Sequence, residues 1–283
     1  MNVDRQTIVI ANTLVQRSDE KVLLLTRALD DHFRPGEYDF PGGKVEAQED
    51  AQVGAARELS EEAGIAVDAA KFALIHAAAA FDPGQSINRV FLTFWTRAEM
   101  PEVELSHEHN DYAWRDVPQA LQMLRVDEET DIQVARANHD IRIAPAHLVT
   151  KTIIRNSAGK LLIIRRSASA PRRALEWDLA GGYVEPGEQF TVAAAREVKE
   201  EAGLDLDPSS LRLSYAFSAD DGDDHTVCWL FYIGDVAADS DQTVSLSYEH
   251  DSYRWVSPEA ALNAINYDVH HEALAYLAEH ALI

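Results

Sequence analysis

The chain contains one pattern twice. Gly43 to Ile65 reads GKVEAQEDAQVGAARELSEEAGI, and Gly182 to Leu204 reads GYVEPGEQFTVAAAREVKEEAGL. The two stretches lie 139 positions apart (182 − 43). The same register runs without a gap from His147 through the second copy. It places Arg27 on Arg166, Arg34 on Arg173, Tyr38 on Trp177 and Asp39 on Asp178. An undisturbed register of this length marks a duplication. The chain of 283 residues therefore divides into two domains, expected at 1–143 and 144–283, each long enough to bury its own core.

The repeated stretch has a chemical spacing. After its first glycine come five residues, a glutamate, seven residues and Arg-Glu. An apolar residue, any residue, Glu-Glu, any residue and a final glycine follow. A helix turns about 100° per residue, so Glu62 falls about 40° to one side of Glu58 and Glu61 about 60° to the other. Three carboxylates on one narrow face repel one another, and a hard divalent cation with oxygen ligands offsets that repulsion. Mg²⁺ bridges carboxylates to substrate phosphates in this way, and Mn²⁺ has the same ligand preferences. Glu197, Glu200 and Glu201 repeat the geometry. Phe40-Pro41-Gly42-Gly43 leads into the first copy and Leu179-Ala180-Gly181-Gly182 into the second. Paired glycines there permit a tight turn and close approach of backbone to a ligand. Seven specified residues, each expected roughly one time in fifteen on average composition, coincide by chance on the order of 10⁻⁸ per site. A solvated acidic helix face does not account for that twice.

On these residues the chain resembles two Nudix hydrolase domains in tandem, over nearly its whole length. The resemblance implies an α/β (α+β) architecture: two α/β/α sandwich domains, each a mixed sheet flanked by helices. It implies hydrolysis of a diphosphate linked to another group, usually in a nucleotide derivative. Glu58, Glu61 and Glu62 would hold the metal, joined by the Gly42 or Gly43 carbonyl, and Glu197, Glu200 and Glu201 would do so with Gly182. Glu49 with Arg57, and Glu188 with Arg196, would brace the metal-binding helices. Arg27 and Arg166 end strands before the box, where family members face substrate phosphates; a surface ion pair is the alternative. Tyr38 and Trp177 either stack on a base or pack beneath the loop. Further on, Ser106 to Trp114 and Ser247 to Trp255 share S-x-E-H-x-x-Y-x-W. A glutamate in this segment serves some family members as metal ligand or base, which makes Glu108 and Glu249 candidates; the bland reading is a loop anchor. Glu58 and Glu108 both stand as the group that activates water. Nucleoside triphosphates, dinucleoside polyphosphates, ADP-ribose and nucleotide sugars all remain open as substrates. A domain that binds a nucleotide as a sensor or scaffold without cleaving it is the competing reading, and a non-hydrolytic relative on the same fold is a third. Complete boxes in both halves favour hydrolysis.

Charge narrows the partners. The net charge is −23, shared evenly: 14 basic against 26 acidic residues up to position 145, and 11 against 22 beyond it. Neither half has the basic face that nucleic-acid binding requires. A small phosphorylated substrate fits, because a bound cation supplies local positive charge. No apolar run approaches the ~18 residues of a membrane span, and the first residues do not read as a secretory signal. Cys228 is the single cysteine, which suits a reducing cytoplasm. The pattern leaves the oligomeric state open.

Short apolar runs predict strands at 7–16, 21–26, 72–80 and 90–95, and at 147–155, 160–164, 211–218 and 227–233. Helices are expected at Val117-Pro118 and Ser257-Pro258, with proline near the first turn, and at 127–138 and 267–281. The boundary near 140–146 is short, so the halves are expected to pack together with little freedom. The acidic run from Asp220 to Asp224 reads as solvated loop.

Overall fold

The computed structural model describes residues 6–32, 34–99, 101–124, 147–220, 226–236 and 243–283. The helix expected at 127–138, the boundary near 140–146 and most of the acidic run after Asp220 lie outside them.

Each half builds one mixed sheet. In the first, β1 (Thr7–Arg17) lies between β2 (Val22–Arg27) and β6 (Ile87–Ala98), with β3 (Tyr38–Asp39) and β5 (Ala73–Asp82) at the ends. β1 runs parallel to β6 and antiparallel to β2. β4 (Gly42–Lys44) pairs with β1, and β7 (His109–Arg115) pairs with β2. The second half repeats this order with β8 (His147–Arg155), β9 (Leu161–Arg166), β10 (Trp177–Asp178), β11 (Arg212–Asp220), β12 (Thr226–Asp235) and β13 (His250–Val256). Even the irregularities repeat: a bulge at Leu74/His76 recurs at Leu213/Tyr215.

Why the sheets are sandwiched follows from β2. Val22, Leu23, Leu24 and Leu25 are all buried. Successive side chains of a strand point to opposite faces. Leu23 and Leu25 join the cluster of Ala55 and Leu59 on α1 (Ala51–Ala63), while Val22 and Leu24 join that of Ala120 on α2 (Val117–Met123). A strand apolar on both faces needs a layer on each side. In the second half Ile163 faces α4 (Pro258–Ala264) and α5 (Asp268–Glu279), and Ile164 faces α3 (Phe190–Ala202).

The box helices α1 and α3 each end on a glycine in left-handed conformation, Gly64 at φ 68° and Gly203 at φ 71°, where a Cβ would be strained. Prolines occupy the first turns of α2 and α4. In each half one segment is a strand where a loop was expected. The S-x-E-H segment is a strand from its histidine onward, laid along β2 and β9. Only His109 and Ala113 of β7 are buried, so its sequence lacks the apolar run that advertises a strand.

The halves share a core. Leu59, Phe94 and Leu92 of the first form one buried cluster with Phe190, Leu213 and Leu230 of the second. Phe94 and Phe190 stack at 6.2 Å between centroids. Polar groups inside the junction are bonded across it. Asn88 Nδ2 donates to Ser214 O at 2.8 Å, Ala77 N to Ser218 Oγ at 2.7 Å, and Tyr276 Oη to Asn88 Oδ1 at 2.6 Å. Asp50 serves both halves: Oδ1 accepts from Gln52 N at 3.0 Å in its own helix, and Oδ2 from Phe190 N at 2.9 Å at the start of α3. The residue at the N-cap of α3 itself, Gln189, makes no capping bond. Among the described residues no helix is long and apolar enough to cross a membrane.

Candidate functional site

The apolar stripe of α1 is Ala51, Ala55, Leu59 and Ala63, at helical spacing, and Glu62 lies on it. Glu62 is therefore drawn into the sheet, where Gly42 N donates to its Oε2 at 2.8 Å. Burial pushes this carboxyl up to about 8; Glu58, Glu108 and Asp39 add to the rise and the Gly42 N–H opposes it. Glu201 has the same place on α3, with Gly181 N at 2.8 Å, and burial raises it to about 7. The three carboxylates of each box are thus graded by depth. Glu62 is buried, the Glu58 side chain is 15% exposed and that of Glu61 is 58% exposed.

One arginine in each half gathers the rest. Arg57 forks onto Glu49, with Nε–Oε1 at 2.9 Å and Nη2–Oε2 at 3.0 Å, while Nη1 donates to Glu58 at 2.8 Å and to Glu61 at 3.0 Å. Arg196 does the same with Glu188 at 2.8 and 2.9 Å, Glu197 at 2.7 Å and Glu200 at 3.4 Å. Arg57 also holds β4 through Lys44 O, and Arg196 holds the segment before α3 through Tyr183 O. The forks lower the Glu49 and Glu188 pKa. Glu58 and Glu197 are raised, because burial outweighs their arginine.

The glycines are fitted to these carboxylates. A Cβ on Gly43 would lie 2.6 to 2.8 Å from the carboxylate atoms of Glu58, and one on Gly182 2.6 to 2.9 Å from those of Glu197. Only glycine admits the carboxylate there. Gly43 pairs with Ala11 in the ladder, and Gly182 O accepts from Thr150 N at 2.9 Å. Among the described residues no three His, Cys, Asp or Glu side chains converge as a ready cation site; Arg57 and Arg196 hold the outer carboxylates instead. The donors are nonetheless those a hard divalent ion takes. A buried carboxylate raised by desolvation beside a second one, with backbone close by, fits such an ion.

The other candidates are placed as follows. Arg27, at the end of β2, pairs with Asp31 and lies 3.8 Å from Asp39. Arg166 donates to Arg172 O at 3.0 Å and lies 3.5 Å from Asp178. Tyr38 packs against the cluster of Leu24 and Phe40. Trp177 packs against the cluster of Ile163 and Leu179, with the Arg254 guanidinium 4.7 Å from its ring centre. Glu108 and Glu249 precede β7 and β13, and their carbonyls accept from Ala28 N at 2.8 Å and Ser167 N at 2.7 Å. That ties each segment to the loop before the box. The Glu108 carboxylate is near enough to help raise Glu58 and Glu62. His109 and His250 are buried, and burial lowers both, His250 to about 4.

A buried polar cluster behind the second box has no announcement in the motif. Asp178 is fully buried among His270 Nδ1 at 2.8 Å, Arg173 Nη2 at 2.6 Å and Lys151 Nζ at 3.6 Å. Burial works to raise this carboxyl, but Lys151, His270 and Arg173 together hold it well below the usual range. The available signal was the register: Lys151 falls on Asn12, a charge within an apolar strand.

Comparison with known proteins follows the same division. The family model described as NUDIX domain matches twice, at residues 6–136 and 145–277. An uncharacterised Nudix hydrolase of Listeria innocua is 38% identical over 86 residues, 29% of this chain and 51% of that one. The nucleoside triphosphatase NudI of Escherichia coli is 32% identical over 101 residues, 33% of this chain and 68% of that one. The crystal structure of a MutT protein from Methanosarcina mazei superposes with a TM-score of 0.43 and 24% identity, covering 50% of this chain and 99% of that one. The chain spans about half the length of the Listeria relative.

Proposed function

The chain belongs to the NUDIX domain family, whose model it matches twice, and from that premise we propose that it is a Mg²⁺-dependent hydrolase, active in both halves, that cleaves a phosphoanhydride bond in a nucleoside diphosphate linked to another group. The observation that carries this is the repetition of the whole site: arginine fork, graded carboxylates and fitted glycine, in both domains.

Glu58, Glu61 and Glu62, with Gly43, would hold the ion in the first site, and Glu197, Glu200 and Glu201, with Gly182, in the second. Bound there, a divalent ion would neutralise charge on phosphoryl oxygens and align them for attack. Arg57 and Arg196 fix the outer carboxylates in place. Arg57 also separates the charges of Glu49, Glu58 and Glu61, which would otherwise repel. Glu58 and Glu108 are the candidates to take a proton from the attacking water. Glu58 accepts from Arg57 and occupies the space that a side chain at position 43 would fill, whereas Glu108 stands on the neighbouring segment. Arg27 and Arg166, at the rim of each loop, are the candidates to meet substrate phosphates. The substrate is a small phosphorylated compound of the nucleotide class, which agrees with the triphosphatase named among the relatives. A cytoplasmic setting suits such a substrate.

The experiment is a panel of nucleoside triphosphates, nucleotide sugars, ADP-ribose and dinucleoside polyphosphates, with products separated by chromatography. Turnover that EDTA abolishes is expected, with loss of orders of magnitude in a Glu58→Gln, Glu197→Gln double variant. Near-normal turnover in that variant would overturn the assignment. Tight nucleotide binding without turnover would favour the sensor reading.

A further inference from the structure

The two sites agree in brace, carboxylates and glycines, and differ in charge at a position on the strand behind the box. The register that puts Gly43 on Gly182 puts Asn12 on Lys151. Lys151 lies on β8 and is 5% exposed. Its ammonium donates to Leu179 O at 3.0 Å and to Gly181 O at 2.6 Å, and lies 3.6 Å from Asp178. Gly181 is the residue whose N–H holds Glu201. One glycine therefore has the deepest box carboxylate on its N–H and a buried cation on its carbonyl. In the first half Asn12 stands there, its Oδ1 2.6 Å from where a Cβ of Gly42 would be. It carries no charge. Among the side chains that act on buried Glu62 are three carboxylates, those of Glu58, Glu108 and Asp39. Glu201 also has carboxylates acting on it, those of Asp178 and Glu197, but Lys151 acts against them and outweighs either one.

We infer that Lys151 is a built-in positive charge of the second site, so that the two boxes are unequal metal sites: the first binds divalent cations more tightly, and the second binds them weakly because an ammonium already offsets part of its negative charge. The inference rests on the metal-dependent reading above. Its physical basis is repulsion between a fixed, buried cation and an incoming one, because charges act more strongly beside a buried group than in bulk water. A purely structural role for Lys151, as partner to Asp178, is the competing account. Asp178 already has Arg173 and His270, and that account predicts no difference in metal affinity.

The test uses the full chain and Mn²⁺ alone, with free ion followed by electron paramagnetic resonance and no substrate present. Two classes of site are expected, at least tenfold apart. Glu62→Gln should remove the tight class and Glu201→Gln the weak one. Lys151→Met should tighten the weak class about tenfold or more, and Asn12→Lys should loosen the tight class by a similar factor. The second variant decides the matter if the first does not fold. Equal affinities in the native protein overturn the inference, as do classes that neither exchange moves. If Glu62→Gln and Glu201→Gln leave Mn²⁺ binding untouched, the metal reading itself falls, and the inference with it.

Discussion

Arg57 meets three carboxylates at once, and a planar guanidinium is the side chain that can do so. Lysine offers a point charge and no fork. Arg57→Lys should therefore keep the fold and misplace Glu58 and Glu61. In a Glu197→Gln background, first-site turnover should fall about tenfold to a hundredfold, read by steady-state kinetics, with the circular dichroism unchanged. His270 makes a different prediction at the same scale. Burial pushes its imidazole down to about 4 despite the Asp178 carboxylate, against an ordinary value near 6.5. Between those values the unfolded chain takes up a proton that the folded protein excludes. Its contribution to stability is complete above about pH 6.5 and is lost as pH falls toward 4. Melting curves across this window should slope less in His270→Gln than in the native chain; parallel slopes would refute the assignment.

At the scale of elements, the N-termini of α1 and α3 share Asp50. Loss of a capping side chain typically costs about 1 kcal/mol, and a buried N–H left without a partner adds about 1–3 kcal/mol. Asp50→Ala should therefore destabilise by about 2–4 kcal/mol in denaturant titration, while Gln189→Ala, which removes no cap, stays near zero. Hydrogen exchange should quicken at Gln52 and Phe190 together. The elements themselves were largely legible in the sequence. Apolar runs announced β1, β2, β5 and β6 with their repeats, and Gly64 and Gly203 marked where the box helices stop. β7 and β13 were hidden, because they join the sheet through backbone pairing with few buried side chains. Spacing alone put Glu58, Glu61 and Glu62 on one helix. That Glu62 is the buried member depends on which face of α1 meets the sheet. Lys151, Asp178 and His270 lie too far apart in the chain for any local pattern to join them.

At the scale of the molecule, the junction between halves is continuous core, with Phe94 against Phe190 and Asn88 buried between Ser214 and Tyr276. Elements that share a core unfold together. Calorimetry should show one transition, with calorimetric and van't Hoff enthalpies in agreement, and fluorescence and circular dichroism should report the same midpoint. Two separated transitions would mean that the halves are independent. For the same reason, 1–143 or 144–283 expressed alone should expose apolar surface and bind a hydrophobic dye.

The paired helix starts have a consequence for how such a molecule can arise. In a dimer of two identical chains arranged this way, an aspartate at one helix start would bring another to its neighbour. Two buried carboxylates would then meet where Phe190 N now finds a single acceptor, and one would have to take up a proton. Joining the copies end to end lifts that constraint. Position 50 can remain acidic while position 189 becomes glutamine, and position 12 can be neutral while position 151 carries a charge. Covalent linkage thus lets each copy change without imposing the same change on its twin.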